Sequence, residues 1–278
     1  ARAVELGVRS FSVDGHSELE KLINLIPAGS EVAVRFKLPV GGAAYDFGAK
    51  FGAVPAQAID LLKRVAVAGL TPSLTFHPGT QCTDPHAWVS YIREAASVTR
   101  AAGVDLARLN VGGGFPAHRL SAEAPRLVAI FDAIAGATRD SFGAAAPALV
   151  CEPGRGLVAE CISLAARVRA VRDDGDVFLD DGIYGGLAEF IHLGNTDRLD
   201  VHDGHTGLRL RGPTAPRVVF GPTCDSLDRL PGTVDLPNAL SEGDVLIFHA
   251  MGAYSTATVT RFNGFGKLDV ATVMRLND

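Results

Sequence analysis

A cysteine beside an aspartate, within the segment Gly221–Asp228, has the clearest capacity for chemistry in this sequence. The segment reads Gly-Pro-Thr-Cys-Asp-Ser-Leu-Asp, so Cys224 and Asp225 follow a Gly-Pro turn. A thiol can donate a proton, and a carboxylate next to it can bind an amine. The alternative is an ordinary surface turn whose cysteine is buried. Other polar segments are needed to choose between the two.

Two predicted strands end in residues that packing does not require. Arg35 and Lys37 alternate along one strand and share a face, which favours an anionic ligand; solvated charges are the alternative. His77 ends the next strand and leads into Pro-Gly-Thr80. The imidazole could stack on a ring and Thr80 could donate to a phosphate, although a lone histidine is more often structural.

Two further strand ends have the residue types of a phosphate site. The first runs into the consecutive glycines Gly112, Gly113 and Gly114, whose backbone N–H groups can approach a phosphate closely. The second ends in Glu152-Pro-Gly-Arg155, which offers an anion for a protonated ring nitrogen and a cation for a phosphate. Ordinary glycine turns and a salt-bridged turn are the alternatives.

Together these segments supply a ring-stacking imidazole, a carboxylate for a ring nitrogen, and donors for a phosphate. That combination matches the chemical groups of pyridoxal 5′-phosphate (PLP). A dinucleotide site would instead need Gly-x-Gly-x-x-Gly at the start of the helix after the first strand, and the sequence has none there.

The elements that must position these residues alternate in the first part of the chain. Predicted strands are Ser10–Asp14, Val32–Lys37, Ser73–His77, Ala107–Val111 and Leu149–Glu152, with helices at Ala1–Leu6, His16–Leu25, Pro55–Val67, Pro85–Ala102 and Ala122–Thr138. This order predicts an α/β fold with a parallel sheet. From about Cys161 the pattern predicts an antiparallel β-domain with strands at Ser163–Arg172, Val177–Leu179, Arg217–Phe220, Val245–His249 and Thr256–Phe262.

The number of strands suggests how the parallel sheet is completed. A closed (β/α)8 barrel needs eight strand–helix units, and five strands precede the β-domain. We therefore expect a (β/α)8-type barrel that lacks its N-terminal strand units, with the chain being the C-terminal portion of a longer one. The expected domains are a PLP-binding partial barrel over residues 1–160 and a β-domain with the Cys-Asp motif over residues 161–278.

Composition limits the classes of function. The 278 residues are 47% hydrophobic and 21% charged, and the net charge of −5 argues against nucleic acid or an anionic membrane as main partner. The four cysteines lack metal-ligand spacing, so we expect no metal site and reduced thiols in a cytoplasmic protein. No apolar run reaches the length of a membrane span.

The motifs resemble those of the PLP decarboxylases with the alanine-racemase fold (fold type III), most closely the ornithine/lysine decarboxylase branch. The matching segments, in the order of that family, are His77–Thr80, Gly112–Gly114, Glu152–Arg155, Asp181–Gly185, Gly221–Asp228, Met251–Tyr254 and Phe262–Phe265. The resemblance implies PLP as cofactor and decarboxylation of a basic amino acid to a diamine, as in polyamine biosynthesis. A non-catalytic relative acting as a binding module and a racemase of the same fold are the alternatives.

The resemblance also implies roles for individual residues. Glu152 would bind the pyridine nitrogen, His77 would stack on the ring, and Arg35 would lie near it. The implied phosphate ligands are Thr80, Gly112, Gly113, Gly114, Gly154, Arg155 and Tyr254. Cys224 would protonate the carbon that has lost CO2, and Asp225 would bind the distal amine of the substrate. Both would reach into the site of a partner subunit in a homodimer that Lys50 and Asp228 bridge.

Two departures from the family pattern matter. The five lysines at 21, 37, 50, 63 and 267 lack the Tyr-Ala-x-Lys context of the lysine that forms the Schiff base. We expect that lysine to precede residue 1, with Lys37 as the substitute inside this chain. The family's substrate-selecting aspartate is also missing near His192 and Leu193, where Glu189 is the possible replacement or the substrate differs.

Overall fold

The computed structural model describes residues 1–45 and 48–274, which form two compact units. Of the described residues, the first unit comprises those within 1–116 and 125–154, and the second those within 117–124 and 155–274. Among the described residues, we find no helix whose length and apolar character would suit a bilayer crossing.

The first unit contains a five-stranded parallel sheet in the order β1-β2-β3-β4-β5. Its strands are β1 (Ser10–Val13), β2 (Glu31–Arg35), β3 (Thr71–Thr75), β4 (Arg108–Asn110) and β5 (Ala148–Val150). Helices precede and connect them: α1 (Arg2–Glu5), α2 (His16–Ile23), α3 (Pro55–Val67), α4 (Pro85–Ala102) and α5 (Leu127–Phe142), followed by a 3-10 turn at Gly143–Ala145. The prediction of an α/β fold with a parallel sheet is confirmed.

Local sequence signals explain where the longer helices begin and end. The carboxylate of Asp84 accepts a hydrogen bond from the His86 amide at 2.9 Å, Pro85 occupies the first turn, and Gly103 ends α4 in the left-handed region. Helix α5 begins five residues later than predicted. The cause is Pro125, because the residue before a proline is disfavoured in the helical conformation.

The core of this unit lies between the sheet and its helices. Val32, Val34 and Leu74 from the strands are fully buried, as are Leu61 of α3 and Trp88 of α4. This burial fixes the strands, so the residues that follow them are held at one edge of the sheet.

The second unit is mainly antiparallel. It begins with α6 (Gly154–Val158), whose first residue belongs to the first unit, and a 3-10 turn at Ala159–Cys161; α7 is Phe190–Leu193. One sheet has the order β10-β7-β6-β12-β8 and a second pairs β11 with β9. The strands are β6 (Leu164–Val171), β7 (Val177–Leu179), β8 (Leu199–His202), β9 (Thr214–Arg217), β10 (Val219–Phe220), β11 (Val234–Pro237) and β12 (Val245–Phe248). The pair β7–β10 is parallel, and every other pair here is antiparallel.

Two features of this unit differ from the prediction. The strand predicted at Thr256–Phe262 is wrong: the chain turns there, with the Ala257 and Thr258 amides bonded to the Tyr254 carbonyl, and ends in a 3-10 turn at Phe262–Gly264. Strands β8, β9 and β11 were not predicted, apart from Arg217 at the end of β9. Each has only four residues and lies between turn-forming segments.

Candidate cofactor and catalytic residues

The carboxyl ends of three neighbouring strands bring the first group of predicted residues together. His77, Gly112 and Glu152 each follow a strand, β3, β4 and β5 respectively, by two residues. The Glu152 amide donates to the Gly112 carbonyl at 2.8 Å, which continues the pairing beyond the strands. Functional residues of parallel α/β folds characteristically lie at this edge.

Asn110 is a site residue that sequence reasoning missed. Its Nδ2 donates to Glu152 Oε1 at 3.0 Å, and its Oδ1 accepts from the Gly112 amide at 2.9 Å. The exposed Glu152 carboxylate is therefore oriented by the last residue of β4. The signal in the sequence was a carboxamide between the apolar residues Leu109 and Val111 at the end of this strand.

His77 is held as a neutral imidazole. Its Nδ1 accepts the Gly79 amide at 3.0 Å, which assigns the ring hydrogen to Nε2. Burial, reinforced by the charge of Arg35 and opposed by that of Glu152, lowers the pKa of His77 to about 4. The Arg35 guanidinium lies 5.0 Å from the centre of the Phe51 ring. A neutral ring suits stacking on a flat cofactor.

The glycine segment packs closely against the turn after β3. Gly112 and Gly114 have φ values of 72° and 84°. A Cβ on Gly114 would lie 2.1 Å from the Gly79 carbonyl oxygen, and one on Gly113 would lie 2.8 Å from the Glu152 carbonyl oxygen. The Gly113 and Gly114 amides make no hydrogen bond within residues 1–45 and 48–274, so both can donate to an anion.

Four predicted residues of the first unit already have partners, Thr80 through its backbone alone. The Gly154 amide donates to the Glu152 carbonyl at 2.9 Å, and the Gly112 amide donates to Asn110, so neither is free for a phosphate as predicted. The backbone of Thr80 pairs with Tyr45. The Lys37 ammonium donates to the Gly48 carbonyl at 2.6 Å, which occupies the one lysine considered as a substitute.

In the second unit, Arg155 forms a buried ion pair that the sequence did not reveal. Its guanidinium donates to both oxygens of Glu189, at 2.8 and 2.6 Å, and lies 5.1 Å from the centre of the Tyr254 ring. Glu189 is therefore not a replacement for the missing substrate-selecting aspartate; that interpretation is wrong. Buried Arg119 lies nearby, where burial and the charge of Arg155 lower its pKa to about 10, opposed by Glu189.

Among the buried polar atoms of the second unit that have no hydrogen-bond partner in the described residues are Nε of Arg155 and Oγ of Ser255, the residue after Tyr254. Unpartnered buried donors are costly unless a ligand satisfies them. A phosphate accepts from both kinds of donor, so these residues fit the phosphate of PLP.

The Cys-Asp turn is held by two side chains from other segments of the second unit. The Tyr184 hydroxyl donates to Asp225 Oδ2 at 2.5 Å, and the Leu227 amide donates to Asp225 Oδ1 at 2.9 Å. The thiol of Cys224, an exposed residue, contacts Asn263 Oδ1 at 3.3 Å. Thus an exposed thiol and a fixed carboxylate are adjacent, as the sequence suggested.

Asp228 is more enclosed than a bridging residue would be. The residue is 1% exposed, and its carboxylate accepts from the amides of Ile183 and Thr223, both at 3.0 Å. It fixes the turn that carries Cys224. A bridge from Lys50 of a second chain stays a prediction, and it would compete with these two bonds.

The residues present match the needs of PLP group by group. In the first unit, Glu152 and His77 suit the ring, and the free amides of Gly113 and Gly114 suit a phosphate. In the second unit, taken by itself, Arg155 and Ser255 suit a phosphate. Among the described residues, no cluster of three or more histidine, cysteine or carboxylate side chains could bind a metal.

Comparison with known proteins gives the same cofactor. Residues 1–159 match the family model described as pyridoxal-dependent decarboxylase, pyridoxal binding domain. Decarboxylase flvG of Aspergillus flavus is 32% identical and lysine/ornithine decarboxylase of Selenomonas ruminantium is 31% identical, each over 95% of this chain. The chain spans 64% and 66% of the length of these two relatives.

A solved structure extends the similarity to the fold. The arginine decarboxylase of Paramecium bursaria Chlorella virus, bound to agmatine, superposes with a TM-score of 0.82 at 27% identity, covering 96% of this chain and 72% of the viral one. The family match includes more than half of the 278 residues and the whole first unit. The chain belongs to the pyridoxal-dependent decarboxylase family.

Proposed function

We propose that this protein takes part in the PLP-dependent decarboxylation of a basic amino acid to the corresponding amine. The observation that carries the proposal is the exposed thiol of Cys224 beside the carboxylate of Asp225, which Tyr184 and Leu227 hold in place. Relatives named as ornithine, lysine and arginine decarboxylases support the reaction class.

Residues after the parallel strands would hold the ring. When bound, PLP supplies the electron sink that makes loss of CO2 from an amino acid possible. Glu152, oriented by Asn110, would accept the hydrogen of the ring nitrogen and keep it protonated. Neutral His77 would stack on the ring without placing a second positive charge beside it, and Arg35 would lie near the ring.

Each unit leaves donors unused that suit a phosphate. In the first unit they are the amides of Gly113 and Gly114, and in the second unit they are Nε of Arg155 and Oγ of Ser255. We propose the Thr80 and Tyr254 hydroxyls as further donors, following the resemblance. In the second unit, the buried residues Arg119 and Arg155 share the single carboxylate of Glu189. This leaves a net positive charge, which suits the phosphate dianion.

Cys224 would complete the reaction by donating a proton. The bond from Cα to the carboxylate carbon breaks, CO2 leaves, and the electron pair remains on Cα. The hydrogen of the Cys224 thiol then forms the new C–H bond, and solvent returns a proton to sulfur. Asp225 would bind the distal ammonium of the substrate, because its carboxylate is held ionised.

The substrate would be recognised through this one carboxylate. His192 and Leu193 of α7 occupy the positions where a second acidic residue was expected, and Glu189 is paired with Arg155. We propose a substrate with a single distal cationic group, in the class of lysine, ornithine and arginine.

Assembly and location complete the proposal. Residues 1–160 would be the PLP-binding part of a (β/α)8 barrel completed by strands outside these 278 residues, which would also supply the lysine that holds PLP; the greater length of the relatives supports this. Residues 161–278 would carry Cys224 and Asp225 into the site of a partner subunit in a homodimer. The four free cysteines agree with a cytoplasmic protein.

The test separates cofactor binding from catalysis. PLP binding is measured by the quenching of Trp88 fluorescence in the wild-type chain and in two variants, Glu152→Gln and Glu160→Gln. The second variant is the control, because the Glu160 carboxylate is exposed in the second unit. Of the two variants, we expect only Glu152→Gln to weaken PLP binding. Borohydride reduction followed by mass spectrometry then shows whether Lys37 is labelled.

Catalysis is measured as CO2 release from lysine, ornithine and arginine by the protein with PLP and, if required, a polypeptide carrying the family's lysine. We expect Asp225→Asn to raise KM for these substrates by at least tenfold, and Cys161→Ser, an exposed thiol elsewhere, to change nothing. PLP binding without CO2 release from any of the three would overturn the proposal.

A further inference from the structure

Asn263 makes two contacts with Cys224 that the catalytic proposal does not yet use. Its Oδ1 lies 3.3 Å from the Cys224 sulfur and 3.4 Å from the Cys224 amide nitrogen. Both partners are donors, so the atom facing them is the carboxamide oxygen and not the NH2 group. The thiol hydrogen therefore has one fixed acceptor.

The backbone of Asn263 has the conformation that presents this oxygen. Its φ and ψ are 52° and 19°, in the left-handed region that asparagine tolerates better than most non-glycine residues. The Gly264 and Phe265 amides bond to the Arg261 and Phe262 carbonyls, which closes a tight turn around it. A backbone conformation that is sparsely populated persists only where the surrounding structure enforces it.

Tyr184 anchors this turn and the Cys-Asp turn at the same time. Its carbonyl accepts from the Thr260 amide at 2.9 Å and from the Thr260 hydroxyl at 3.0 Å, and its ring lies 4.8 Å from the Phe262 ring. Its hydroxyl holds Asp225. Tyr184 thus contacts residues next to both Asn263 and Cys224, which restricts the distance between the Asn263 oxygen and the Cys224 thiol.

An amide oxygen acts on a thiol differently from a basic side chain. It accepts the S–H hydrogen bond but is too weak a base to remove the proton, and its partial negative charge disfavours a thiolate. It also restricts the thiol to one orientation. A cysteine that must donate a proton needs both properties.

We propose that Asn263 is a positioning residue that accepts the S–H hydrogen bond of Cys224 and aims that hydrogen. The proposal rests on the function proposed above for Cys224, and it goes beyond it by assigning the residue that controls the proton donor. It predicts that the charge of the side chain at position 263 sets the reactivity of the thiol.

The test compares two variants that both suit a positive φ. Asn263→Gly removes the acceptor, and Asn263→Asp replaces it with a carboxylate of the same size. Alkylation of Cys224 by iodoacetamide at pH 8 is measured by mass spectrometry in the 278-residue chain, with exposed Cys151 and Cys161 as internal references. Because a thiolate is the reactive form, we expect Asn263→Gly to react at least threefold faster and Asn263→Asp at least threefold more slowly than wild type.

The proposal requires the two variants to change the alkylation rate of Cys224 in opposite directions. A purely structural role would accelerate both variants through looser packing, and that result, or rates equal to wild type, would overturn the proposal. Opposite signs without CO2 release in the catalytic assay would contradict the proposed function while confirming control of the thiol by Asn263. In active protein, decarboxylation in D2O adds one deuterium stereospecifically, and we expect Asn263→Gly to give a mixture of both configurations.

Discussion

The Tyr184 hydroxyl donates a 2.5 Å hydrogen bond to the carboxylate of Asp225. This bond, with a second one from the Leu227 amide, lowers the pKa of Asp225, and the same bond raises the pKa of Tyr184. The phenol therefore stays a donor and the carboxylate stays an acceptor. An ionised carboxylate next to Cys224 is what a cationic substrate group requires.

Replacing Tyr184 with phenylalanine should raise the pKa of Asp225 towards its ordinary value, because the largest stabilising contact of the ionised form is lost. The carboxylate would then become protonated at a higher pH than in wild type. The loss of substrate binding on acidification would therefore begin at a higher pH. The measurement is an NMR titration of the Asp225 carboxyl carbon in wild type and Tyr184→Phe.

Asp203 is the internal control for this titration. Backbone bonds from Thr206 and His205 lower its pKa, and Tyr184 is not among the causes. Its titration should be identical in the two proteins. An unchanged Asp225 titration would show that the short Tyr184–Asp225 contact does not persist in solution.

His77 should make the stability of the first unit depend on acidity. Its pKa is about 4 in the folded chain against 6.5 for an ordinary histidine, so the unfolded chain binds the extra proton between these values. The stabilisation from neutral His77 is therefore complete above about pH 6.5 and is lost as the pH falls towards 4.

The variant His77→Gln should flatten this dependence. Urea unfolding at pH 4.5, 5.5 and 7 should show a smaller loss of stability on acidification than in wild type. The matched control is His86→Gln, which removes an exposed imidazole of the same unit. A His77→Gln curve parallel to that of wild type would contradict a buried neutral imidazole.

The sequence predicted the parallel sheet well because its signals are local. Asp84, Pro85 and Gly103 mark both ends of α4, and the polar residues that follow each apolar strand identified the edge where His77 and Glu152 meet. A closed (β/α)8 barrel needs eight strands, and the described parallel sheet has five, so the predicted closure stays a prediction.

Contacts between distant segments could not be predicted in the same way. Asn263 is 39 residues from Cys224 in the sequence, and Asn110 is 42 residues from Glu152. No periodicity connects such pairs. Glu189 was misinterpreted for the same reason, because its partner Arg155 lies 34 residues away.

Glu189 should be important for stability as the shared anion of two buried arginines. The Arg155 and Glu189 side chains are 7% and 17% exposed, and removing one partner of a buried pair typically costs about 3–5 kcal/mol. We expect Glu189→Gln to lower Tm well below that of Glu160→Gln, because the Glu160–Arg198 pair is more exposed and such pairs contribute at most about 1 kcal/mol.

Phosphate should then restore part of the loss. An anion that binds only the folded state stabilises it by mass action, and Glu189→Gln leaves Arg155 and Arg119 without their carboxylate. Inorganic phosphate should raise Tm more in Glu189→Gln than in wild type. Equal losses in the two glutamine variants would show that the buried pair is not formed.

Gly114 and Gly136 should respond to alanine in opposite directions, because one glycine is needed for its conformation and the other is not. Gly114 has a φ of 84° with the Gly79 oxygen 2.1 Å from the added Cβ, whereas Gly136 is inside α5 and its Cβ would meet only Arg139 at 3.9 Å. We expect Gly114→Ala to cost at least about 2 kcal/mol and Gly136→Ala to stabilise by about 0.5–1 kcal/mol in urea unfolding. Only Gly114→Ala should also weaken PLP binding, since it displaces the amides available to a phosphate. Tolerance of alanine at Gly114, in stability and in PLP affinity, would mean that the close packing of the glycine segment on the turn after β3 is not needed for the site.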